Sequence, residues 1–448
     1  MEEALQRSQD NQHPPQLKVS VLLDYTRGSR GATNSRTMLL PLLQRFPPQV
    51  RVSLYHTPDL RGLLRRLVPQ RFNETIGVQH IKVYLFDDSV IISGRTATSA
   101  GGLPLLADFF SELVDAVGDV SSSCSPTTLW PCTRACAPPI KALLLLPPPS
   151  CSSDALRAQN IPTQSSGRPG SAVPTYRLLS GNRRPAAVSR GGAEADHGGA
   201  GRRPRRQRDG EGEELSEGEE DTWVFPLVQM KPLGIQVDEE VTQCLLTDAG
   251  PDSTLFLTSG YFNLTRAYMQ LVLGAGANYR ILTASPEVNG FFGAKGVAGA
   301  IPAAYIHIAR QFYQQVCRLG QQERVPCTST TGPAGPSTPK VRLRRSDSPK
   351  RAAWLRPSAP GLWYYLGGRD RPCLTLIGSP NFGHRSVHRD LEAQIAMVTQ
   401  NQELQGAQLE QQRLYRRSTE VSSATFEQPD RHVQLWVKLV TPFIKNFF

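Results

Sequence analysis

At 448 residues the chain exceeds what one hydrophobic core usually organises and has room for two or three domains. Apolar residues make up 39% and aromatics 7%, while 37 Gly and 36 Pro are plentiful, which excludes a uniformly packed globule and suits folded blocks separated by disordered, low-complexity inserts. The formal charge of +11 would suit nucleic acid or an anionic membrane, but local balances of +9 over 156–208, +6 over 326–360 and −8 over 209–221 place +7 of it in Pro/Gly/Ser-rich tracts. Such tracts bury no core, so nucleic acid is not expected as a partner.

Taken in chain order, Leu17–Asp24 reads as a short strand, Thr37–Phe46 as a helix and Val50–Tyr55 as an alternating strand. Ile81–Phe86 and Val90–Ser93 form two more strands around an Asp87-Asp88 turn. Leu105–Val117 carries Leu106, Phe109, Phe110, Leu113, Val114 and Val117 at helical spacing. The first block, 1–119, closes there. Residues 120–222 have no sustained periodicity and are read as a linker or anomalous insert.

The second block, 223–448, offers strands at Thr254–Ser259, Tyr279–Ala284, Leu362–Leu366, Cys373–Ile377 and Ala393–Val398. Helices are expected at Leu264–Leu273, Ala303–Val316, Gln402–Arg417 and Val433–Lys445, with a second low-complexity insert at 326–360. Strand, turn and helix near Leu17 have a counterpart near Leu255, and each block later holds a hairpin ending in a small polar turn, Ser93-Gly94 or Gly378-Ser379. The expected fold class is therefore α/β, a sandwich repeated twice.

Composition offers little else. The eight Cys lack paired His and CxxC spacing, so free thiols are expected and no metal site. No apolar run is long enough for a membrane-spanning helix. The opening residues include Glu2, Glu3 and Asp10, unlike an Arg-rich, acid-poor organelle presequence, so no targeting peptide is visible.

Chemistry concentrates in His80-Ile81-Lys82-Val83-Tyr84-Leu85-Phe86-Asp87. Side chains two apart on a strand share a face, so His80 and Lys82 project together while Ile81, Val83 and Leu85 turn inward. An imidazole beside an ammonium suits attack on a phosphodiester, the ring nitrogen as nucleophile and the lysine offsetting phosphoryl charge. Asp87, at the strand end, is placed to orient an imidazole. A lone HxK is more often the wet face of an amphipathic strand. HxK followed after four residues by Asp and after six more by a Gly-containing turn is far more specific, and it resembles the HKD motif of the phospholipase D superfamily.

The strings LKVSVLLDYTRGSRG, RFNETIG, HIKVYLFDDSVIISG, SGYFNLT, ASPEVNGFFGAKGVAGAIPAAY, LIGSPNFGHRSVHRDLEAQIA and VSSATFEQP resemble the mitochondrial CDP-diacylglycerol–glycerol-3-phosphate 3-phosphatidyltransferase family, over roughly 17–94, 105–120, 223–325 and 361–448. The resemblance implies transfer of a phosphatidyl group from CDP-diacylglycerol to glycerol 3-phosphate through a phosphatidyl-histidine intermediate, for cardiolipin synthesis. It implies His80 as nucleophile, Lys82 as phosphate ligand and Asp87 as supporting carboxylate. It further implies Ser379 and Asn381 as hydrogen-bond donors to phosphate and Glu392 as the acid supporting a histidine; each also fits ordinary turn chemistry. No cofactor is implied. Substrate contact at a membrane surface, peripherally, and placement at the mitochondrial inner membrane follow from the same resemblance, which leaves the oligomeric state open.

The chain departs from the family at two places. Where a second HxK is expected before Gly361, it reads Ser358-Ala359-Pro360, with no cation and, at the proline, no backbone donor. After Gly94 it reads Arg95-Thr96-Ala97-Thr98-Ser99 and lacks the expected Asn. Family-like sequence stops and resumes abruptly around 95–104, 121–222 and 326–360, a pattern expected of a retained intron or shifted frame. An impaired transferase is the leading expectation. A non-catalytic lipid-binding relative and a phosphodiesterase of the same superfamily are the alternatives.

Overall fold

The computed structural model describes residues 1–10, 17–60, 70–93, 97–100, 104–125, 128–132, 222–289, 299–330, 361–366, 371–401 and 408–447, with a few isolated positions between them. Ser358, Pro360 and Gly94 lie outside the described residues.

In the first half, β1 (Val19–Asp24) and β2 (Val50–Tyr55) run parallel, from Val19 opposite Val50 to Asp24 opposite Tyr55. Parallel neighbours need a crossover. It is built from α2 (Tyr25–Gly28) and α3 (Ser35–Arg45), the latter fixed by an Asn34/Thr37 capping box. The N-terminal helix α1 (Glu2–Asp10), which no apolar period announces, buries Leu5 against Leu43, Phe46, Val50 and Val52. A hairpin of β3 (Val83–Phe86) and β4 (Ser89–Ser93) continues into β5 (Ala97–Ala100), and α4 (Pro104–Asp119) follows.

Two boundaries move. The sheet of β1 and β2 continues past 119 into β6 (Ser122–Ser125), antiparallel to β2, and β7 (Thr128–Cys132). In the second half, a strand at Cys327–Thr330 falls inside the tract read as low complexity.

That half, with β8 (Ala186–Ala187) added from the tract before it, forms one ten-stranded sheet with β9 (Thr222–Met230), β10 (Ile235–Gln236), β11 (Thr254–Ser259), β12 (Asn278–Thr283), β13 (Cys327–Thr330), β14 (Gly361–Tyr365), β15 (Leu374–Gly378), β16 (Glu392–Thr399) and β17 (Ser418–Glu420). β11, β12 and β13 are parallel neighbours, joined by α6 (Arg266–Gly274) and α7 (Ile301–Arg318); the β14, β15 and β16 ladders are antiparallel. Helices α5 (Val237–Thr247), α8 (His384–His388), α9 (Gln408–Arg416) and α10 (Leu435–Ile444) complete it.

The halves correspond in order of elements but not in continuity. β14 pairs with β11 in the second half, whereas the β3–β5 sheet stands apart from β1 and β2.

What joins the halves is a shared core. All eight residues of β16 are buried, and period two divides them. Ala396 and Val398 pack in the second half's own core with Leu227, Leu255 and Leu362. Ala393, Ile395 and Met397 face the other way and pack, with Val224, Val228 and Met230 of β9, against Ile81, Val90, Ile92, Leu106 and Phe110 of the first half. A seam this apolar fixes the halves against each other, and the His80 segment lies on it.

Candidate active site

The lead-in to β3 is held by the second half. Gln79 bridges in parallel to Leu391, His80 N–H donates to the Leu391 carbonyl at 2.9 Å, and Leu391 N–H donates to the Val78 carbonyl at 2.9 Å. Val78 N–H donates to Asp390 Oδ1 at 2.9 Å, and Gln79 N–H to Asp24 Oδ2 at 3.0 Å. Asp24 at the end of β1 also caps α2 through Arg27 N–H. The stretch before the histidine is thus tied at four points to two strand ends.

Gly77 makes this approach possible. Its φ is +154°, and a Cβ there would stand 2.7 Å from the Arg389 carbonyl oxygen. Gly77→Ala is expected to destabilise the protein by about 2 kcal/mol or more, since backbone strain of about 1–3 kcal/mol adds to the overlap. Chemical denaturation reads this as a lower midpoint at unchanged slope.

On that frame His80 Nδ1–H donates to Glu392 Oε2 at 2.8 Å. The carboxylate fixes the tautomer and leaves Nε2 with its lone pair outward. Lys82 Nζ stands 2.9 Å from Nε2 and donates to the His80 carbonyl at 3.1 Å. Ile81 is buried behind them with Val83 and Leu85 in the shared core, so the strand alternation puts imidazole and ammonium on one face. Burial lowers the Lys82 ammonium pKa, with Glu392 pulling it up and Arg27 pushing it further down.

Glu392 is fully buried at the first position of β16. Burial alone pushes its carboxyl up, but the charge of His80 and hydrogen bonds from His80 and Ser386 outweigh this and hold it below the usual range. Ser386 Oγ donates to Oε1 at 2.7 Å and itself accepts from Asn381 N–H at 2.9 Å. Beside it Asp390, pushed up to about 6 by burial against the pull of Arg385, accepts from Arg385 Nε at 3.0 Å.

His80, Lys82 and Glu392 are therefore brought together. Asp87 is not. It sits at φ 49° in the exposed turn between β3 and β4, at the far end of the strand, and no hydrogen bond or ion pair among the described residues joins it to His80. The carboxylate at Nδ1 is Glu392, supplied 312 residues away by the other half.

Ser379 also differs from its expected role. Its buried hydroxyl donates to the Ala393 carbonyl and accepts from Ala393 N–H, both at 3.2 Å, closing β15 onto β16 rather than facing a phosphate. Asn381 Oδ1 accepts from Gly383 N–H at 3.0 Å, which orients its carboxamide, and a Cβ on Gly383 would overlap Asn263.

Ser386, Asp390 and Asp24 escaped sequence reasoning. The Asp390-Leu391-Glu392 alternation was the available signal, since it places two carboxylates on one side of a strand. Among the described residues no cluster of three His, Cys, Asp or Glu could hold a metal, and Cys124, Cys244, Cys317, Cys327 and Cys373 form no disulfide.

Glu392→Gln keeps the shape but weakens the hold on the Nδ1–H tautomer. We expect the rate of bond formation at His80 Nε2 to fall about 10²–10⁴-fold. Glu392→Ala should in addition cost about 2–4 kcal/mol of stability, because His80 and Ser386 lose a buried partner. Rapid-quench kinetics and denaturation on the two variants separate the effects.

Two α/β halves sharing a core, with an HKD histidine on the seam, define a protein of the phospholipase D-like class. The fold resembles the crystal structure of phosphatidylserine synthase from Haemophilus influenzae, with a TM-score of 0.58 at 17% identity, covering 100% of this chain and 86% of that one. No family model matches the sequence. The chain belongs to the CDP-diacylglycerol–glycerol-3-phosphate 3-phosphatidyltransferase family. The relative so named in Gallus gallus, described as mitochondrial, is 52% identical over 100% of this chain and 75% of its own length, and that in Homo sapiens is 51% identical with the same coverage. A probable member in Dictyostelium discoideum is 32% identical over 96% of this chain and 68% of its own.

Proposed function

We propose that this chain takes the phosphatidyl group of CDP-diacylglycerol onto His80 and passes it to glycerol 3-phosphate, giving CMP and phosphatidylglycerophosphate at the surface of the mitochondrial inner membrane. The observation that carries the reading is the Glu392–His80–Lys82 line. A buried carboxylate holds Nδ1–H, Nε2 presents its lone pair, and an ammonium waits beside it. Nε2 attacks the phosphorus bearing diacylglycerol, the P–O bond to CMP breaks with its electron pair, and Lys82 turns from Nε2 to the phosphoryl oxygens. Asn381, aimed by Gly383, is the further donor proposed for phosphate, while Ser379 acts by holding β15 to Glu392's strand.

The half-site on the second repeat is incomplete, since positions 358 and 360 are Ser and Pro. The reading is therefore of a transferase with one intact histidine and impaired turnover. It is tested with the purified full chain, CDP-diacylglycerol and labelled glycerol 3-phosphate, following CMP and phosphatidylglycerophosphate separately. CMP release that vanishes in His80→Asn supports it. Cleavage of an unrelated phosphodiester with CDP-diacylglycerol left intact would overturn it.

A further inference from the structure

Helix α10 (Leu435–Ile444) presents an unusual surface. Leu435, Trp436, Leu439, Val440 and Phe443 are all exposed, Leu435 at 71% and Phe443 at 79%. At about 100° per residue these five span an arc of about 140° on one side of the helix. The opposite side is buried: Val437 packs with Ala300, Ala304, Ile306, Phe426 and Val433, and Thr441 is covered too. Five large apolar side chains on one face are more than a soluble surface ordinarily leaves uncovered.

Charge tells what covers them. From 431 to 448 the chain carries Arg431, Lys438 and Lys445 and no acidic residue. An apolar face flanked by cations fits the headgroup layer of an anionic bilayer. Trp436, whose indole N–H donates to Gln434 Oε1, is half-exposed on that face, as an interfacial tryptophan is.

The helix is also wired to the site. Beyond it, the Phe447 ring lies under the Arg389 guanidinium at 4.4 Å, and Asn446 meets His384. His384 opens α8 and Arg389 caps its end, and Ser386 between them holds Glu392.

We propose that α10 is a membrane-docking helix that lies in the headgroup layer of an anionic bilayer, apolar face down, and brings the His80 site to the lipid surface. No described helix is long and apolar enough to cross a membrane, and this element needs none. The proposal rests on the phosphatidyl-transfer reading for its choice of a lipid partner.

Flotation of the full chain tests it, with vesicles of phosphatidylcholine alone or with added phosphatidylglycerol, and without CDP-diacylglycerol, so that the outcome does not depend on turnover. The chain should float with the anionic vesicles. Trp436→Ser with Leu439→Ser and Phe443→Ser should lower binding about tenfold or more at an unchanged melting midpoint, because exposed side chains add little to the fold. Lys438→Gln with Lys445→Gln should lower it about fivefold per lysine on anionic vesicles only. CMP release from a detergent-dispersed, short-chain CDP-diacylglycerol should not change in either variant, and its absence from all three proteins would count against the transfer reading alone. Equal flotation of the triple-serine variant overturns the proposal. So does a shift from dimer to monomer in that variant by sedimentation, which would make the face a contact between copies.

Discussion

Mixed with CDP-diacylglycerol and glycerol 3-phosphate, the chain is expected to release about one equivalent of CMP in a burst and then to slow by about 10²–10⁴-fold. The two half-reactions ask for different things. In the first, the leaving oxygen belongs to a phosphate monoester whose second pKa is about 6, so CMP departs as an anion without a proton donor. On the proposed reading that step needs only Nε2 of His80 and the ammonium of Lys82, which stand 2.9 Å apart. In the second, the hydroxyl of glycerol 3-phosphate must lose a proton as it attacks the phosphatidyl-histidine. A general base on the facing half would take it, and position 358 offers a serine. Rapid-quench measurement of CMP, with mass analysis of the peptide carrying His80, reads the stalled adduct. His80→Asn should show neither burst nor adduct. A linear, multiple-turnover course without a burst would show that another residue supplies the base.

Much of the local structure was legible because it is local. Val50–Tyr55 alternates, Thr254–Ser259 has an apolar centre, and both fold as the strands read; the helix over 104–119 follows its apolar spacing. β13 escaped because Cys-Thr-Ser-Thr has no apolar period; it is a strand through its register with Ile281–Thr283 and with Ser418–Glu420. The site divides in the same way. His80 and Lys82 share a face by the arithmetic of a strand, which any window of three residues contains. The choice between Asp87 and Glu392 as the carboxylate on Nδ1 could not be made so. Asp87 is near in sequence and lies at the wrong end of a rigid strand, whereas Glu392 arrives through the pairing of Leu391 with the 78–80 segment. Only the docking of the halves decides it, and that docking depends on β16 being buried on both faces.

Ser358→His with Pro360→Lys should restore multiple turnover, but only in part, by about 10²-fold in the steady rate of phosphatidylglycerophosphate formation. Position 358 stands three residues ahead of β14, as His80 stands three ahead of β3, so the correspondence of the halves gives a restored histidine a matching place. Removing the proline also returns a backbone N–H and frees φ. What the double change does not return is the carboxylate. His80 owes its tautomer to Glu392, which opens the strand following the β14–β15 hairpin. The strand following the β3–β4 hairpin is Ala97-Thr98-Ser99-Ala100, and residues 94–103 contain no acid at all. A histidine at 358 would therefore meet no counterpart of Glu392, and an unoriented imidazole loses a factor of about 10⁴ in well-studied triads. Steady-state assays of the double variant, alone and with His80→Asn, decide the matter. Recovery approaching 10⁴-fold would mean that another carboxylate reaches position 358. No recovery, with the CMP burst intact, would mean that the sequence on either side of the missing motif keeps residue 358 away from the seam.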